Sequence, residues 1–550
     1  MNLKKYFIYT PDTSSEEDFS LEKEAYHKKN KKITYIENNI SDKNSFVYQT
    51  GKVSENIEEN LNFIKDAFSK PENFDFVIRE FKIKMGDTTT DAFLVFYDGL
   101  VNKNIINRDI LRSLMTSSQK CDTSLSVDDR IFEQIITQAP LSKSSDMKGI
   151  IDMVSFGCCA IFADGASCAF VADVKGWNGR SVGKPVTEAV LSGPQEAFNE
   201  IVMTNIGLIR KILKDPNLVA ENIPVGEKSQ TPCALMYING ITNKALVEEA
   251  RRRLKGIKTD YIFSSADIEM FIENSPFFPV PQIVRTERPD RAASMLADGK
   301  VIVIVQGSPF VLVLPGTAID LVEASEDNYV RVIEANFMRT VRLLGIILAV
   351  FLPAAFVASV LYHHDTIPTD LLFAIAATRE QMPFPVVLEL LIMMLAFELI
   401  KEASIRIPDP IGSTLGIVGG LILGQAATEA GIASPLLIII VSIAGLGSFA
   451  VPSLSLSRAL SVMQFVYVFF AAIGGFSGLA LAVFLSLVYI SSQKSMGVPF
   501  FSPFTPTGKY AAKRSLFVSP IWKKELRPDN LKTQQNFKQP EISMKWRKED

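Results

Sequence analysis

The sequence predicts a two-part protein: an α/β region of two subdomains followed by an α-helical domain that crosses a membrane several times. Three observations carry this. The chain has 550 residues, more than one ordinary core accommodates. Its mean hydropathy is +0.18 although 21% of its residues are charged, so charge and apolar residues must be segregated. The long apolar runs lie almost entirely within 341–490, whereas strand and helix periodicities alternate through 57–335. With 57 basic against 60 acidic residues, giving a net charge of −3, nothing points to nucleic acid as a partner.

Residues 1–56 are rich in Lys, Glu, Asp, Asn and Ser and are expected to form a disordered polar tail. The opening MNLKKYFIYTPD is too short in apolar residues for a signal h-region, so no cleaved leader is expected. The first subdomain, 57–178, begins with the amphipathic helix ENIEENLNFIKDAF. The strands FDFVIREFKIKM and DAFLVFYDG, the helix INRDILRSLMTSS and a hairpin turning at Asp164-Gly165 follow. A connector, 179–226, is expected to become a long helix from Pro194, with Phe198, Ile201, Ile206, Ile209 and Ile212 at helical spacing. The second subdomain, 227–335, reads as strand TPCALMYI, helix KALVEEARRRLKG, strand TDYIF and helix SSADIEMFIE. It continues with strand PVPQIVR, helix RPDRAASMLADG and strands VIVIVQ and PFVLVLP.

No nucleotide-binding glycine motif occurs, and no catalytic constellation appears, so neither an enzyme nor a cofactor is expected. The five cysteines (121, 158, 159, 168 and 233) contain no CxxC pair and are expected to be small buried apolar residues. Three histidines leave little from which to build a zinc site.

The membrane domain is expected over 336–492. Its first span, 341–362, covers about 33 Å as a helix, and Arg331, Arg339 and Arg342 at its start place the preceding domain in the cytosol. LLFAIAAT, in the following loop, is too short to cross and is expected at the outer interface. The second span, 384–404, ends in FELIKEASIRIP, whose Lys401 and Arg406 mark a return to the inside. The third region, 411–450, crosses with a possible re-entrant part. The fourth, 459–490, is too long for one straight span and is expected to kink or break at Gly474-Gly475. The basic tail, 493–550, then lies in the cytosol.

Several of these phrases, in this order, resemble the A subunits of GerA-type spore germinant receptors. They are GRSVGKPVTEAVLSGPQEAFNEIVMTNIGLIRKIL, ENSPFFPVPQIVRTERPDRAASMLADGKVIVIVQGSPFVLVLP, the arginine-flanked first span and FELIKEASIRIP. The resemblance covers about 60–510 and departs from the family pattern at Ser192, Gln195 and Ser404. It implies a spore inner-membrane protein working with membrane lipid, a transporter-like B subunit that senses the nutrient and a lipoprotein C subunit. It further implies a homo-oligomer, a pentamer, acting as a nutrient-gated ion channel whose ion release starts germination. The alternatives are a non-conducting scaffold or transporter-like component, or the related stage-V sporulation branch, which shares the architecture.

Within the apolar half, Glu398 and Glu402 lie about 40° apart on one helix face and Glu389 lies on the opposite face. A carboxylate facing lipid costs ~2.5–3.5 kcal/mol, so this helix is expected to be internal. The three acids are candidates for a cation pathway or coupling network; the structural alternative is pairing of Glu398 with Lys401 and of Glu402 with Arg406. Gly412, Gly416, Gly420 and Gly424 form a small-residue ridge suited to close helix packing, within the chain or between subunits. In an oligomer Glu429 would form a carboxylate ring that attracts cations; otherwise it is a solvated loop acid. Arg285, Arg288, Asp290 and Arg291 are read as a salt-bridged helix start or a subunit contact. Arg251, Arg252 and Arg253 are read as a solvated helix face.

Overall fold

The architecture follows from two sheets and the helices packed on them. It is seen in a computed structural model that describes residues 51–85, 88–116, 129, 131–132, 141–176, 183–185, 187–380, 382–406, 424–504 and 517–539. Cys121, Gly412, Gly416, Gly420 and most of the expected N-terminal tail lie outside the described residues.

Helix α1 (Ile57–Ala67) starts where the Asn56 side chain accepts from the Glu58 N–H, with Glu58 and Glu59 in the first turn and Lys65 in the last. Strands β1 (Phe76–Met85) and β2 (Thr88–Tyr97) pair from Phe76↔Tyr97 to Met85↔Thr88. A helical segment, α2 (103–116), leads towards β3 (Leu141–Ser144), α3 (Met147–Ser155) and the hairpin β4 (Cys158–Ala163) and β5 (Ala169–Asp173). The sheet order is β1-β2-β4-β5-β3, antiparallel throughout. Strand alternation sends Phe93, Val95 and Cys158 towards α1 and α3 and Leu94, Phe96 and Cys159 towards α2. The β3 strand and α3, which Asp146 caps by accepting from the Lys148 and Gly149 N–H groups, were not foreseen.

The second layer repeats this topology. It comprises α4 (Val202–Ile212), β6 (Leu218–Asn222), β7 (Cys233–Ile238), α5 (Lys244–Gly256), α6 (Ser265–Ile272), β8 (Val284–Thr286), α7 (Pro289–Ala297), β9 (Val301–Val305) and β10 (Val311–Leu314). Its order, β6-β7-β9-β10-β8, is the first order renumbered, and again every pairing is antiparallel. Short turns join β4 to β5 and β9 to β10, and such connections force antiparallel neighbours, whereas parallel pairs need long crossovers. The helices therefore pack on antiparallel sheets.

Three expectations need correction. The connector helix begins at Val202, not Pro194. Asn199 and Asn205 stop it there: the Asn199 N–H donates to Asn205 Oδ1 at 2.9 Å, Asn205 Nδ2 donates to the Asn199 carbonyl, and the Ile201 N–H donates to Asn199 Oδ1. The segment 218–222, within the expected connector, is the edge strand β6. TDYIF is not a strand; its carbonyls at Thr259 and Asp260 accept from the Glu227, Lys228 and Ser229 N–H groups of a loop.

The apolar half begins after α8 (Ala318–Val322). It contains α9 (Val332–Tyr362), the short α10 (Thr369–Arg379), α11 (Val386–Arg406), α12 (Pro435–Phe449) and the helical stretch Leu454–Ser492. Val332–Tyr362 and Leu454–Ser492 are each long and apolar enough to cross a membrane. The latter is not one kinked rod. At Gly474-Gly475 the backbone leaves helical values, with Gly475 at φ +56°. A Cβ on Gly478 would meet the Phe470 carbonyl, and the Tyr467 and Ser486 side chains are hydrogen-bonded. At its two ends, Ser455 accepts from Arg285 (2.9 Å) and Gln493 from Gln282 (3.1 Å), both on the second sheet layer. A straight helix of this length would hold its ends roughly 57 Å apart. The stretch is a hairpin, α13 (454–473) and α14 (476–492), antiparallel and reversed at the glycine pair. Its tip meets the far end of α9, where the Tyr362 hydroxyl donates to the Ala472 and Ile473 carbonyls at 2.9 and 3.0 Å.

The C-terminal segment returns to the second sheet layer. Ser495 Oγ donates to the Gln282 carbonyl, the Gln534 N–H to the Ile241 carbonyl, and Lys538 pairs with Asp298 at 2.6 Å. Both ends of the apolar half therefore sit on one side.

Candidate functional site

A polar junction ties the second sheet layer to α9. The start of α7 supplies its centre. Arg288 is fully buried and donates to the Glu188 carbonyl (3.2 Å), the Pro194 carbonyl (2.9 Å) and Asp290 Oδ2 (2.9 Å). Arg291 pairs with the Glu188 carboxylate and donates to the Asp320 carbonyl. Asp290 accepts the Tyr329 hydroxyl, and a Cβ on Gly193 would meet the Tyr329 ring at 2.7 Å, so Gly193, at φ +126°, lets the 187–195 loop lie against it. Three residues beyond Tyr329, α9 begins. There Arg339 pairs with Glu323 (2.7 Å) and Asp327 (3.1 Å), and Arg342 pairs with Asp327 (3.1 Å). These arginines, expected only as flanking charges, grip the 322–327 segment that leads out of the second sheet layer.

Arg288, Asp290 and Arg291 thus face partners within the chain. Arg285 lies apart from them: its Nε pairs with Glu269 at 2.9 Å while its other nitrogen reaches Ser455 on α13. Burial pushes the Glu269 carboxyl up to about 7 against the opposing pull of Arg285, and Glu273 adds to the rise. The 251–253 arginines are not a purely solvated face. Arg251 pairs with Glu221, while Arg252 and Arg253 both pair with Glu249.

A cavity of about 680 Å³ opens beside the junction, between α7, α8, the start of α9 and the C-terminal segment. Its walls mix charges already paired, Lys300 with Asp320 (2.5 Å) and Lys538 with Asp298. Burial would raise the Asp320 carboxyl, but Lys300 and Thr317 hold it below its ordinary value. The cysteines at 158, 159, 168 and 233 are buried and form no disulfide, and burial raises the Cys233 thiol to about 12, which leaves it unreactive.

Among the helices, Glu389 is buried and accepts the Ser434 N–H, the residue capping α12. A carboxylate at that helix end complements the α12 dipole. Glu398 accepts from Lys401 (3.4 Å) and from Ser461 Oγ on α13 (2.7 Å), while Lys401 also reaches Ser461 at 3.2 Å. The foreseen i,i+3 pair exists, but with a third partner on another helix. Glu402 is exposed, and the Arg406 side chain lies outside the described set. Glu389 and Glu398 point in opposite directions and each meets protein, because α12 and α13 flank α11. Helix α11 is not internal on every side: Leu388, Ile392, Leu395 and Leu399 leave an exposed apolar stripe.

Glu429 is exposed and accepts from Gln425 Nε2 at 2.9 Å. Gly424 is buried, and a Cβ there would meet Ile438 of α12 at 3.3 Å. Two further close helix approaches were not foreseen from the sequence. A Cβ on Gly447 of α12 would strike the Gly345 carbonyl of α9, and one on Gly445 would strike the Phe397 ring of α11. Gly345 and Gly447 lie a hundred residues apart, so no local spacing reveals their pairing.

The family model described as Bacillus/Clostridium GerA spore germination protein matches residues 62–530. Spore germination protein KA of Bacillus subtilis is 36% identical over 84% of this chain and 85% of its own length. Spore germination protein GerLA of Bacillus cereus is 34% identical over 88% of this chain and 97% of its own. Among solved structures, the N-terminal domain of the A subunit of the Bacillus megaterium spore germinant receptor GerK3 is similar at 29% identity with a TM-score of 0.38. The match covers 48% of this chain and 96% of that one.

Proposed function

This chain belongs to the Bacillus/Clostridium GerA spore germination protein family, and from that premise we propose that it is the A subunit of a nutrient germinant receptor in the spore inner membrane. In this reading the helical half crosses the bilayer, with both sheet layers and the C-terminal segment on the spore-core side. It acts with a transporter-like B subunit that senses the nutrient and a lipoprotein C subunit. Copies assemble, as a pentamer, around a nutrient-gated cation path.

The observation that carries the reading is the junction. Asp327 holds both Arg339 and Arg342 at the foot of α9, while Arg285 and Gln282 hold the two ends of the hairpin. A displacement of the second sheet layer is thereby transmitted to several apolar helices at once. The acids Glu389, Glu398 and Glu429 supply the negative charge that a cation path uses.

The test is the complete complex, with its B and C partners, in liposomes. Nutrient should trigger cation efflux, and Glu389→Gln or Glu429→Gln should alter ion selectivity. A complete, nutrient-binding complex that passes no current overturns the channel. A second reading, a non-conducting scaffold, draws support from the protein partners that Glu389 and Glu398 already hold; it expects no current but an unchanged nutrient response in both variants.

A further inference from the structure

The second sheet layer carries large apolar side chains where a soluble surface would carry charge. Phe277 is 77% exposed, Met270 61% and Phe271 54%. The acids among them turn the other way: Glu269 is buried against Arg285, and Glu273 accepts the Gln282 N–H. This is the reverse of an ordinary solvated helix and loop.

The depth of this surface is fixed by its neighbours. The Phe278 ring contacts Tyr489 of α14 edge-on at 5.3 Å, so Phe277 sits level with the last turn of that helix. Glu269, adjacent to Met270, grips Arg285, whose other nitrogen reaches Ser455 in the first turn of α13. On α14 the exposed residues Leu481, Phe484, Leu485 and Val488 lead along the helix to Tyr489, which the Phe278 ring contacts next to Phe277. Whatever covers that helix face ends against these rings. Arg458, exposed, is a cation one turn beyond Ser455 on α13.

We propose that the Met270, Phe271 and Phe277 surface seats in the lipid–water interface of the membrane that the chain's own helices cross, a proposal that rests on the membrane reading above. Phenylalanine rings on an interfacial segment bury at the headgroup–acyl boundary, and basic groups there meet lipid phosphate. The soluble layer then has two attachments, its polar junction to the helices and an apolar shelf on the bilayer, and any motion of the layer must lift or slide that shelf.

The test places an environment-sensitive fluorophore on single cysteines introduced by Phe271→Cys or Phe277→Cys in the full chain. Cys121→Ser is added, and the four other cysteines are buried. The protein is held in nanodiscs of phosphatidylethanolamine and phosphatidylglycerol containing lipids with a nitroxide near the headgroup or deep in the acyl chain. Phe484→Cys on α14 reports bilayer depth, and Glu80→Cys on β1 reports the aqueous side. The expected result is quenching of the 271 and 277 probes by the shallow nitroxide at least twofold above that of the 80 probe, with the 484 probe quenched most by the deep one. Quenching at 484 without quenching at 271 and 277 overturns the shelf and leaves the membrane reading intact. Absence of quenching at 484 overturns both. If the 277 probe is shielded from lipid nitroxide and aqueous iodide only in discs holding several copies, a second copy covers the surface and the lipid assignment falls.

Discussion

Arg210 of α4 and Asp75 at the mouth of β1 form a two-point ion pair sealed from solvent, at 2.6 and 2.7 Å. The same guanidinium donates to Asn73 Oδ1 and to the Leu218 carbonyl, and it lies 3.9 Å from the Tyr97 ring centre. It joins the two sheet layers, since β6 and α4 belong to the second and Asp75 to the first. Arg210→Met leaves Asp75 buried without its cation and is expected to cost roughly 3–5 kcal/mol. Hydrogen exchange in the full chain should show β1 and β6 amides exposed together; protection unchanged in both strands would refute the pair's role as the link.

Asp327→Asn tests the junction. Arg339 and Arg342 lose their shared carboxylate, while Arg339 keeps Glu323. Exchange of amides over 332–342 should rise, and nutrient-triggered response in spores should slow or require more nutrient. Asp327→Glu should recover part of both. An asparagine variant with faster local exchange and a normal response would separate the junction from signalling.

At the hairpin tip, Gly475→Ala meets two obstacles. Its φ of +56° is strained for alanine, and the new Cβ would lie 2.9 Å from the His363 ring and 3.0 Å from Tyr362 Cβ. A loss of about 1–3 kcal/mol is expected. Gly474→Ala, with open space around it, should cost less. Thermal unfolding in detergent of the two variants gives the order directly.

Glu269 sets a pH dependence. Burial lifts its carboxyl to about 7, above the ordinary value near 4.3, so the folded state keeps the proton longer than the unfolded state. Its contribution to stability is greatest below the unfolded value and declines as pH rises towards 7, by about 3 kcal/mol at 1.36 kcal/mol per pH unit. Glu269→Gln should flatten most of this slope between pH 5 and 7; Glu273, also raised by burial, retains a smaller part. Equal slopes in wild type and variant would exclude Glu269 as the group responsible.

Two of the acids read as ion-path candidates should differ sharply in what they contribute to stability. Glu389→Ala leaves the Ser434 N–H without its acceptor in an apolar site and should cost about 1–3 kcal/mol. Glu429→Ala removes an exposed side chain held by Gln425 and should change stability by under about 0.5 kcal/mol. Melting curves of the two variants settle the contrast.

Elements with a strong local signature were legible. KALVEEARRRLKG is helical along its whole length, and VIVIV and VLVL are strands, because amphipathic spacing, or a short apolar run rich in β-branched residues between turn signals, favours one state. The start of α4 was misread because two asparagines six residues apart bond each other and compete with a helix that the isoleucine spacing favours. The site was half legible: the Glu398–Lys401 pair is local, whereas Ser461, its third member, lies about sixty residues away.

By itself the sequence determined the division into a polar sheet-and-helix region and an apolar helical one, and the charges at their boundary, because hydropathy and periodicity are properties of neighbours along the chain. The tertiary structure alone decided what those charges hold. It set Arg339 and Arg342 on Asp327, seated Gly345 against Gly447, and brought Ser455 and Gln493 back to one surface through a reversal at two glycines. Each joins residues distant in sequence through burial and backbone approach. The repeated strand order of the two sheets is of the same kind, since hydrogen-bond partners across a sheet follow from packing rather than from local spacing.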